Sequence, residues 1–358
     1  MGLPDPESQV QFLFNVQRLL SDGSFVATYK YALLLSLADL AVERGDDTTE
    51  ELPLDTRDLA EMFVGLYWRQ VLPWVHGGQG SAGRLQQATG PAAAILNRIA
   101  AAHDRVEGSL TRLKRDRAAW DRLLREVARI IEVMPLWKLQ TVGRQRLAFL
   151  YPNVGKGGRI QLNGEAVYCF RRFRDFIGDM TETAWVRFVR RLPRNQGLIG
   201  EGPDLREFLF GSDRTALRVV RRVLRELDGN RCFYCAGAIR GEPVVDHFVP
   251  WARYPLDLGH NFVLADVRCN GEKADRLAAF DHLDRWCQRN AHPQVGEAFE
   301  AGAIPHDATI TRRVAGWAYG QSEVAKATVW LRGRDGLVEL DRRCLDTKRG
   351  ANRTWAVR

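Results

Sequence analysis

The chain has 358 residues and carries 52 Lys and Arg against 44 Asp and Glu, which gives a formal net charge of +8 and a pI near 9.4. This length allows two or three domains, and the apolar fraction of 45 % with 27 % charged residues is typical of globular proteins and not of disordered ones. No run approaches the roughly 18 apolar residues of a membrane span, and the acidic, proline-containing start MGLPDPESQV resembles neither a signal peptide nor a transit peptide. We therefore expect a cytoplasmic protein without a membrane partner, whose basic balance favours a polyanion such as nucleic acid.

For residues 1–143 the sequence predicts a helical N-terminal domain. Apolar residues recur at helical spacing over residues 10–45, from Leu59 to Val71 and from Pro91 to Met134. The Arg-rich face of the last run is typical of a solvated helix. Between the runs, Gly78-x-Gly80-x-x-Gly83 matches a dinucleotide-binding fingerprint only superficially, because no strand precedes it and no βαβ unit follows. We interpret it as a loop.

For residues 144–211 the sequence predicts a basic segment that contains a hairpin and helical structure. RLAFLYP and RIQLNGEAVYCF alternate apolar and polar residues around Asn163-Gly164, which predicts a β-hairpin turning there. Aromatic residues are interleaved with a set of arginines: Arg171, Arg172, Arg174, Arg187, Arg190, Arg191 and Arg194. Two interpretations remain open, a DNA-recognition segment and an ordinary basic surface.

A helix is predicted from Ser212 to Leu227, where Asp228-Gly229 ends it. Its arginines, Arg218 and Arg222 among them, form a basic face that precedes a cysteine-containing segment, and we expect these two to contact nucleic acid. Residues 291–358 predict a C-terminal extension with helices and a hairpin in TVWLRGRDGLVELD. The predicted fold class is mainly α with small β elements, an α+β protein.

Candidate metal-ligating and catalytic residues are concentrated in residues 231–273. A Cys-x-x-Cys motif is followed in order by Asp246-His247, Asn261, Cys269-Asn270 and Lys273. VVDHFVP predicts a strand, HNFVLA predicts the entry into a second strand, and the chain from Asn270 onward has helical periodicity. The segment therefore predicts a ββα unit with polar residues where its elements meet.

These motifs resemble the HNH endonuclease family, whose active site is a ββα-metal unit. The resemblance rests on Asp246-His247 followed by Pro250, on Asn261 before an apolar strand, and on Cys269-Asn270-x-x-Lys273. It implies a nuclease domain over residues 212–290. Cys232 and Cys235 match the zinc-bearing subset of the family, and Ala274 stands where some members have a second histidine, so the chain resembles the His-Asn-Asn variety.

The resemblance implies a role for each polar residue. His247 would be the general base, which suits an imidazole that titrates near neutral pH. Asp246 and Asn270 would hold one Mg²⁺ or Mn²⁺, since hard ions prefer oxygen ligands. Asn261 would brace the loop and orient His247 through backbone hydrogen bonds. A flanking phosphate would be bound by Lys273 or Arg268.

The cysteines predict a structural zinc site. Cys232, Cys235 and Cys269 supply three ligands, and Asp266 stands where a second Cys-x-x-Cys would begin, so it is the expected fourth ligand. The alternative is a degraded site whose thiols pack in the core. Cys287 is a weaker substitute ligand, and Cys169 and Cys344 are expected to be free buried thiols, since disulfides are rare in a cytosolic chain.

Together these features predict a metal-dependent HNH endonuclease that cleaves DNA, and the resemblance implies a role in prokaryotic restriction or anti-phage defence. Two other functions remain open, a non-catalytic zinc-stabilised nucleic-acid-binding protein and an RNA-cleaving toxin nuclease. A partner protein or a homo-oligomer is compatible with the sequence.

Overall fold

A computed structural model describes residues 2–23, 25–74, 83–90, 93–152, 158–199, 205–211 and 216–340. In these ranges the chain is mainly helical, with small antiparallel sheets of two strands each, which confirms the predicted α+β class. It divides into two compact units, Met1–Gly211 and Ser212–Arg358, a coarser division than the four predicted segments. His76, Gly78, Gly80 and Cys344 lie outside the described residues.

The first unit is built from helices and two short sheets. Its helices are α1 (Pro6–Asp22), α2 (Tyr29–Arg44), α3 (Thr56–Trp68), α4 (Ala94–Arg105), α5 (Leu110–Arg115), α6 (Arg117–Val133), α7 (Gly164–Arg172), α8 (Arg174–Arg191), α9 (Pro193–Ile199) and α10 (Leu205–Phe210). β1 (Leu52–Asp55) pairs with β4 (Arg159–Leu162), and β2 (Thr141–Val142) pairs with β3 (Gln145–Arg146).

Helix α2 is the centre of this unit, since every residue from Tyr31 to Glu43 is buried. A helix that is apolar on all sides is a core helix, and α3, α7 and α8 pack around it. Its one central acid, Asp39, pairs with buried Arg174 at 2.9 Å. Arg171 donates to the carbonyl oxygens of Ala41, Val42 and Gly45 at the C-terminal end of α2. Two of the arginines expected to serve either DNA recognition or a basic surface are therefore part of the core.

The predicted hairpin turn at Asn163-Gly164 is wrong. Asn163 is extended (φ −58°, ψ 139°) and precedes the first residue of α7, whereas a two-residue hairpin turn of this type needs positive φ. The strand before it finds its partner in β1, about a hundred residues earlier in the chain, because Leu52 pairs with Leu162. Gly164 instead allows the backbone to pass close to Thr49, since a Cβ at this position would collide with the Thr49 carbonyl oxygen.

The second unit contains α11 (Ala216–Asp228), β5 (Val244–His247), a 3₁₀ turn (Gly259–Asn261), β6 (Phe262–Ala265), α12 (Val267–Lys273), α13 (Phe280–Ala291), α14 (Pro293–Ala301), α15 (Ala308–Val324), β7 (Thr328–Arg332) and β8 (Gly336–Glu339). Strands β5 and β6 are antiparallel, and so are β7 and β8. Val220, Val223 and Leu224 are the buried residues of α11, which packs against β5, β6 and α14.

The helix predicted onward from Asn270 is interrupted. α12 ends at Lys273, and Ala274 has a positive φ of 50°, which an α-helix does not allow. The linker that follows pairs with β7, since the Ala279 N–H donates to the Trp330 carbonyl and the Trp330 N–H donates to the Leu277 carbonyl. Helical structure resumes only at α13.

Over the described ranges, no helix is both long enough and apolar enough to cross a bilayer.

Candidate active site and cysteine cluster

The second unit contains the predicted ββα arrangement. In the β5–β6 pair, Asp246 lies opposite Val263 and His247 lies opposite Phe262. β5 ends at His247 and β6 begins at Phe262, so the connecting loop, residues 248–261, starts directly beside the histidine. α12 follows β6 after a single residue, Asp266, and packs against β5. The fold therefore brings the Asp-His pair and the polar residues of α12 to one place.

Asn261 holds the connecting loop from its far end. Its side chain is fully buried; Oδ1 accepts from the Val249 N–H at 2.9 Å, and Nδ2 donates to the carbonyls of Val249 and Leu256 at 3.1 and 3.2 Å. Its own carbonyl accepts from the Phe248 N–H at 2.7 Å. These bonds fix the backbone immediately after His247. A buried amide with its polar atoms satisfied is a rigid brace.

His247 is held by a carboxylate that the sequence interpretation missed. Asp257 Oδ1 lies 2.8 Å from Nε2 of His247, and the imidazole ring lies against the rings of Trp251 and Phe262 with centroids 5.3 and 4.8 Å away. No described residue hydrogen-bonds to Nδ1, so that nitrogen is available to a ligand. One sequence signal could have found Asp257, because it is the only acid in residues 248–261.

Asp246 presents one oxygen to the protein and leaves the other free. Its Oδ2 accepts from the Tyr234 hydroxyl and lies 3.0 Å from the Lys273 ammonium. Burial, followed by the neighbouring carboxylate, raises the pKa of Tyr234 well above its usual value, so the hydroxyl remains a donor. Among the described residues none donates to Oδ1. The fixed side chain therefore offers a single unshared carboxylate oxygen.

The structure contradicts the predicted phosphate contact of Lys273. Its side chain is 0 % exposed, and besides the pair with Asp246 it donates to the His247 carbonyl at 3.0 Å. An ammonium enclosed in this way cannot reach a substrate phosphate, so Lys273 is a structural residue of the site. Arg268 is on the surface, with 81 % of its side chain exposed and a 2.8 Å pair with Glu272.

Asn270 lies on α12 one turn before Lys273. Residues three apart on a helix share a face, so Asn270 lies on the side of α12 whose next residue reaches Asp246. It is half-buried, and its side chain makes no hydrogen bond to any described residue. Arg218 and Arg222 are exposed on α11.

Three cysteine sulfurs converge beside this unit. The Sγ atoms of Cys232, Cys235 and Cys269 all lie within 4.8 Å of one another. Residues 231–238 form a tight turn in which the Cys232 N–H donates to the Gly237 carbonyl, and the Phe233 N–H donates to the Leu264 carbonyl of β6. The third sulfur comes from α12. The cluster thus connects the turn, β6 and α12.

The spacing of the three sulfurs suits zinc, whereas the thiol pKa shifts do not all point in one direction. Tetrahedral zinc with Zn–S bonds of about 2.3 Å separates its sulfurs by about 3.8 Å, a spacing compatible with this group. Burial works to raise the pKa of Cys235, but the Gly237 N–H and the two neighbouring thiols outweigh it, so the pKa of Cys235 is lowered. Burial and the neighbouring sulfurs raise the pKa of Cys269. The three cysteines could hold a metal such as zinc.

Asp266 does not join the three sulfurs. Its carboxylate accepts from the Arg268 N–H at 2.8 Å and so caps the N-terminus of α12. In the described part of the chain, the group that could hold a metal ion contains the cysteines alone.

Comparison with known proteins bears on the first unit. Residues 9–204 match a family described as Domain of unknown function (DUF8808). The chain belongs to this family. Searches of the curated proteins and of the solved structures each gave no match. The DUF8808 region (residues 9–204) ends before the ββα unit, so the chemistry of that unit is argued from its own residues.

Within the DUF8808 region, the aromatic residues predicted to accompany the arginines belong to the core. Phe170 and Trp185 are fully buried, and Tyr168 and Phe173 are half-buried. Cys169 is buried as well, and burial raises the pKa of its thiol to about 12. In the second unit, burial raises the pKa of Cys287 on α13 to about 11. Both thiols stay protonated and lie outside the cysteine cluster.

Proposed function

We propose that the chain is a metal-dependent HNH endonuclease that hydrolyses DNA phosphodiester bonds with His247 as the general base. The observation that carries the proposal is the antiparallel β5–β6 pair followed by α12, with Asp246 and His247 at the end of β5 and Asn261 bracing the loop between the strands. A pure binding module has no need of a histidine whose one nitrogen is held by a carboxylate and whose other nitrogen is free.

The proton transfer follows from the two nitrogens of His247. Nδ1 accepts a proton from water as the water oxygen forms a bond to phosphorus, and the bond from phosphorus to the leaving oxygen breaks. Asp257 accepts a hydrogen bond from Nε2–H, which keeps the neutral ring in the tautomer whose Nδ1 is an acceptor. The same carboxylate then stabilises the imidazolium that forms.

Asp246 Oδ1 and the Asn270 amide oxygen are the hard donors that would hold Mg²⁺ or Mn²⁺. When bound, the cation supplies positive charge to the scissile phosphate and to the leaving oxygen. Lys273 already neutralises part of the Asp246 charge from the Oδ2 side, at 3.0 Å. We therefore expect weak cation binding by the free protein, with the substrate phosphate completing the ligand set.

We further propose that the cysteine cluster holds a structural zinc. The ion would join the turn around Cys232 and Cys235 to α12 and so fix the position of Asn270, which follows Cys269 directly. Asp266, the fourth ligand expected from the sequence, would have to release the Arg268 N–H to reach the ion. We favour a solvent-side fourth ligand, because Cys235 is exposed.

The test is plasmid cleavage by the full-length protein with Mg²⁺ or Mn²⁺, with His247→Ala as the variant. His292→Ala is the matched control, since His292 is an exposed histidine of the same unit. We expect nicking or linearisation by the wild-type and control proteins and its loss in His247→Ala. Equal cutting by His247→Ala would exclude His247 as the base.

The two other functions predict different results in the same assay. A zinc-stabilised binding protein shifts plasmid mobility without cutting under either cation. An RNA-cleaving toxin cuts an RNA transcript and leaves the plasmid intact. Either result would overturn the DNA endonuclease proposal.

A further inference from the structure

The solvent-facing side of α8 carries an unusual set of charges. Arg187, Arg190 and Arg191 are all exposed, at the i, i+3 and i+4 spacing that places residues on one helix face. The opposite face is the buried one, with Thr181, Trp185 and Val189. At about 100° per residue the three arginines lie diametrically across the helix from Trp185. They form a single arginine face, called here the α8 arginine face.

This face has no acidic compensation. Within the described chain none of the three arginines forms an ion pair with an Asp or a Glu. Residues 183–199 contain no acid at all, and they add a fourth exposed arginine, Arg194, at the start of α9. Uncompensated like charges on neighbouring helix positions repel each other, so the arrangement costs stability in the free protein. Such a cost is expected where an anionic ligand relieves it.

Helix α6 of the same unit also carries exposed arginines, but acidic residues lie among them. Arg122, Arg125 and Arg129 are also exposed, but α6 itself carries Asp121 and Glu126. Asp121 pairs with Arg57, and Glu126 pairs with Arg98 at 2.9 Å. The α6 face therefore mixes both signs, as an ordinary solvated helix does. The α8 face has only one.

We propose that the α8 arginine face binds the phosphodiester backbone of nucleic acid, in a manner independent of base sequence. Guanidinium groups form paired hydrogen bonds to phosphate oxygens. Arg187 and Arg191 are separated by about 6 Å along the helix axis, close to two phosphate spacings of about 3.4 Å on one strand of a duplex, so the three arginines can contact three consecutive phosphates. The DUF8808 region would then be a nucleic-acid-binding region.

The surroundings favour a duplex over two other anionic partners. A membrane-surface helix inserts an apolar face into lipid, but the apolar face of α8 is buried in the protein core. Single strands are usually bound by stacking bases on exposed aromatic rings. Trp185 and Phe170 are buried, and the exposed aromatic residue of α8, Phe176, lies about 16 Å along the helix before Arg187, so no exposed ring of α8 lies beside the three arginines. The remaining mode is contact with the phosphodiester backbone of a duplex. This inference does not rest on the proposed hydrolysis.

The experiment is a salt titration of duplex binding by the full-length protein carrying His247→Ala, without Mg²⁺ or Mn²⁺. Fluorescein-labelled DNA and RNA duplexes of the same sequence are the probes, with anisotropy as the readout. The test variant combines Arg187→Gln, Arg190→Gln and Arg191→Gln. The matched control combines Arg122→Gln, Arg125→Gln and Arg129→Gln, which removes the same charge from α6.

We expect the test variant to bind at least about tenfold more weakly and its log Kd against log salt slope to fall by about 2.7 on duplex DNA, three phosphates at about 0.9 each. The control should keep most of the wild-type slope. The single variant Arg187→Gln, expected to lower the slope by about 0.9, serves if the triple variant is poorly folded. The duplex that shows the α8 dependence identifies the polymer.

Three results would overturn the inference. The first is that the α8 and α6 variants weaken duplex binding equally, which would mean that binding depends on the total charge of the protein and not on the α8 arginine face. The second is unchanged binding to both duplexes. The third is unchanged duplex binding with loss of binding to vesicles of equal parts phosphatidylcholine and phosphatidylserine, which would point to a membrane surface. If duplex binding depends on α8 but the wild-type protein does not cut in the plasmid assay, the nuclease proposal fails and this inference stands.

Discussion

The ammonium of Lys273 lies 3.0 Å from Oδ2 of Asp246, and neither side chain is more than 10 % exposed. Removing one member of a buried ion pair leaves the other charge without compensation, at a cost of about 3–5 kcal/mol. Lys273 therefore supports the site from within, while Asp246 Oδ1 remains free for a cation.

From this pair we predict that Lys273→Met destabilises the second unit by about 3–5 kcal/mol, measured by urea denaturation. Arg268→Met, on the exposed side of the same helix, should change the free energy of unfolding by less than about 0.5 kcal/mol. Adding Asp246→Asn to Lys273→Met should restore part of the loss, because no charge is then left unpaired. Unchanged stability with weakened DNA binding would mean that Lys273 does contact phosphate.

A second prediction concerns Asp257, which holds Nε2 of His247. Asp257→Ala should lower kcat roughly 10- to 100-fold, as loss of an orienting partner commonly does. Asp257→Asn should be at least as damaging, since its amide can donate to Nε2 and then favours the tautomer whose Nδ1 carries the proton. The affinity for DNA should not change in either variant.

Asp335→Asn is the matched control for Asp257, because Asp335 is exposed in the β7–β8 turn of the same unit. A purely structural role would lower the melting temperature of Asp257→Ala and Asp257→Asn together. It would not make the isosteric amide the worse substitution. Asn more active than Ala would therefore contradict the tautomer argument.

Local patterns predicted the ββα arrangement better than they predicted the side-chain contacts within it. The order Asp246-His247, Asn261, Asn270 indicated a ββα unit, because strand periodicity and the helical run are encoded within some 30 residues. Asp257, the partner of His247, and Tyr234, the partner of Asp246, reach the site through the folding of a loop and a turn. Sequence periodicity does not predict such contacts. Lys273 is an expected phosphate-binding residue in the sequence, and only the packed structure shows that its side chain is fully buried.

The same limit explains the middle of the chain. Asn163-Gly164 has the composition of a hairpin turn, but its strand pairs with β1, which lies far away in sequence. Long-range pairing overrides local turn preference, since the buried contacts of the sheet outweigh the turn. Likewise, seven arginines between 171 and 194 have equal status in the sequence. Packing against α2 makes Arg171 and Arg174 core residues and leaves the α8 arginine face exposed.

The cysteine cluster leads to a third prediction, on metal content. The purified protein should contain one zinc per chain, and Cys232→Ser should lose it and unfold at a lower temperature, since a structural zinc contributes directly to folding. Cys287→Ser is the matched control, a cysteine of the same unit outside the sulfur group. Equal zinc content in both variants would show that the cluster does not bind the ion.

The role of Asp266 is decided by a single isosteric change. Asp266→Asn should keep the zinc and change the free energy of unfolding by less than about 0.5 kcal/mol, because asparagine caps a helix about as well as aspartate. Metal content by mass spectrometry and thermal melting are the measurements. Loss of zinc in Asp266→Asn would mean that the Asp266 carboxylate is the fourth zinc ligand.

The last prediction follows from His260, which lies between Gly259 and Asn261 in the turn that carries the brace. Its ring is 4 % exposed, packs against Phe299 and His306, and has a buried Nδ1 with no hydrogen-bond partner. Burial, then the charges of His306 and Arg289, lower the pKa of His260 to about 4; Arg312 acts in the same direction and Asp307 against it. The ring is therefore neutral in the folded protein at neutral pH.

The sign of the pH dependence follows from linkage. Below the unfolded pKa of about 6.5 the unfolded chain takes up a proton at His260 that the folded chain refuses until about pH 4, so the second unit loses stability as the pH falls through this window. At pH 5 the loss from this residue is about 2 kcal/mol relative to pH 7. Denaturation curves at the two pH values should show a drop that His260→Leu reduces by about that amount. His292→Leu, an exposed control, should keep the wild-type drop, and an unchanged drop in His260→Leu would mean that other groups cause the acid sensitivity.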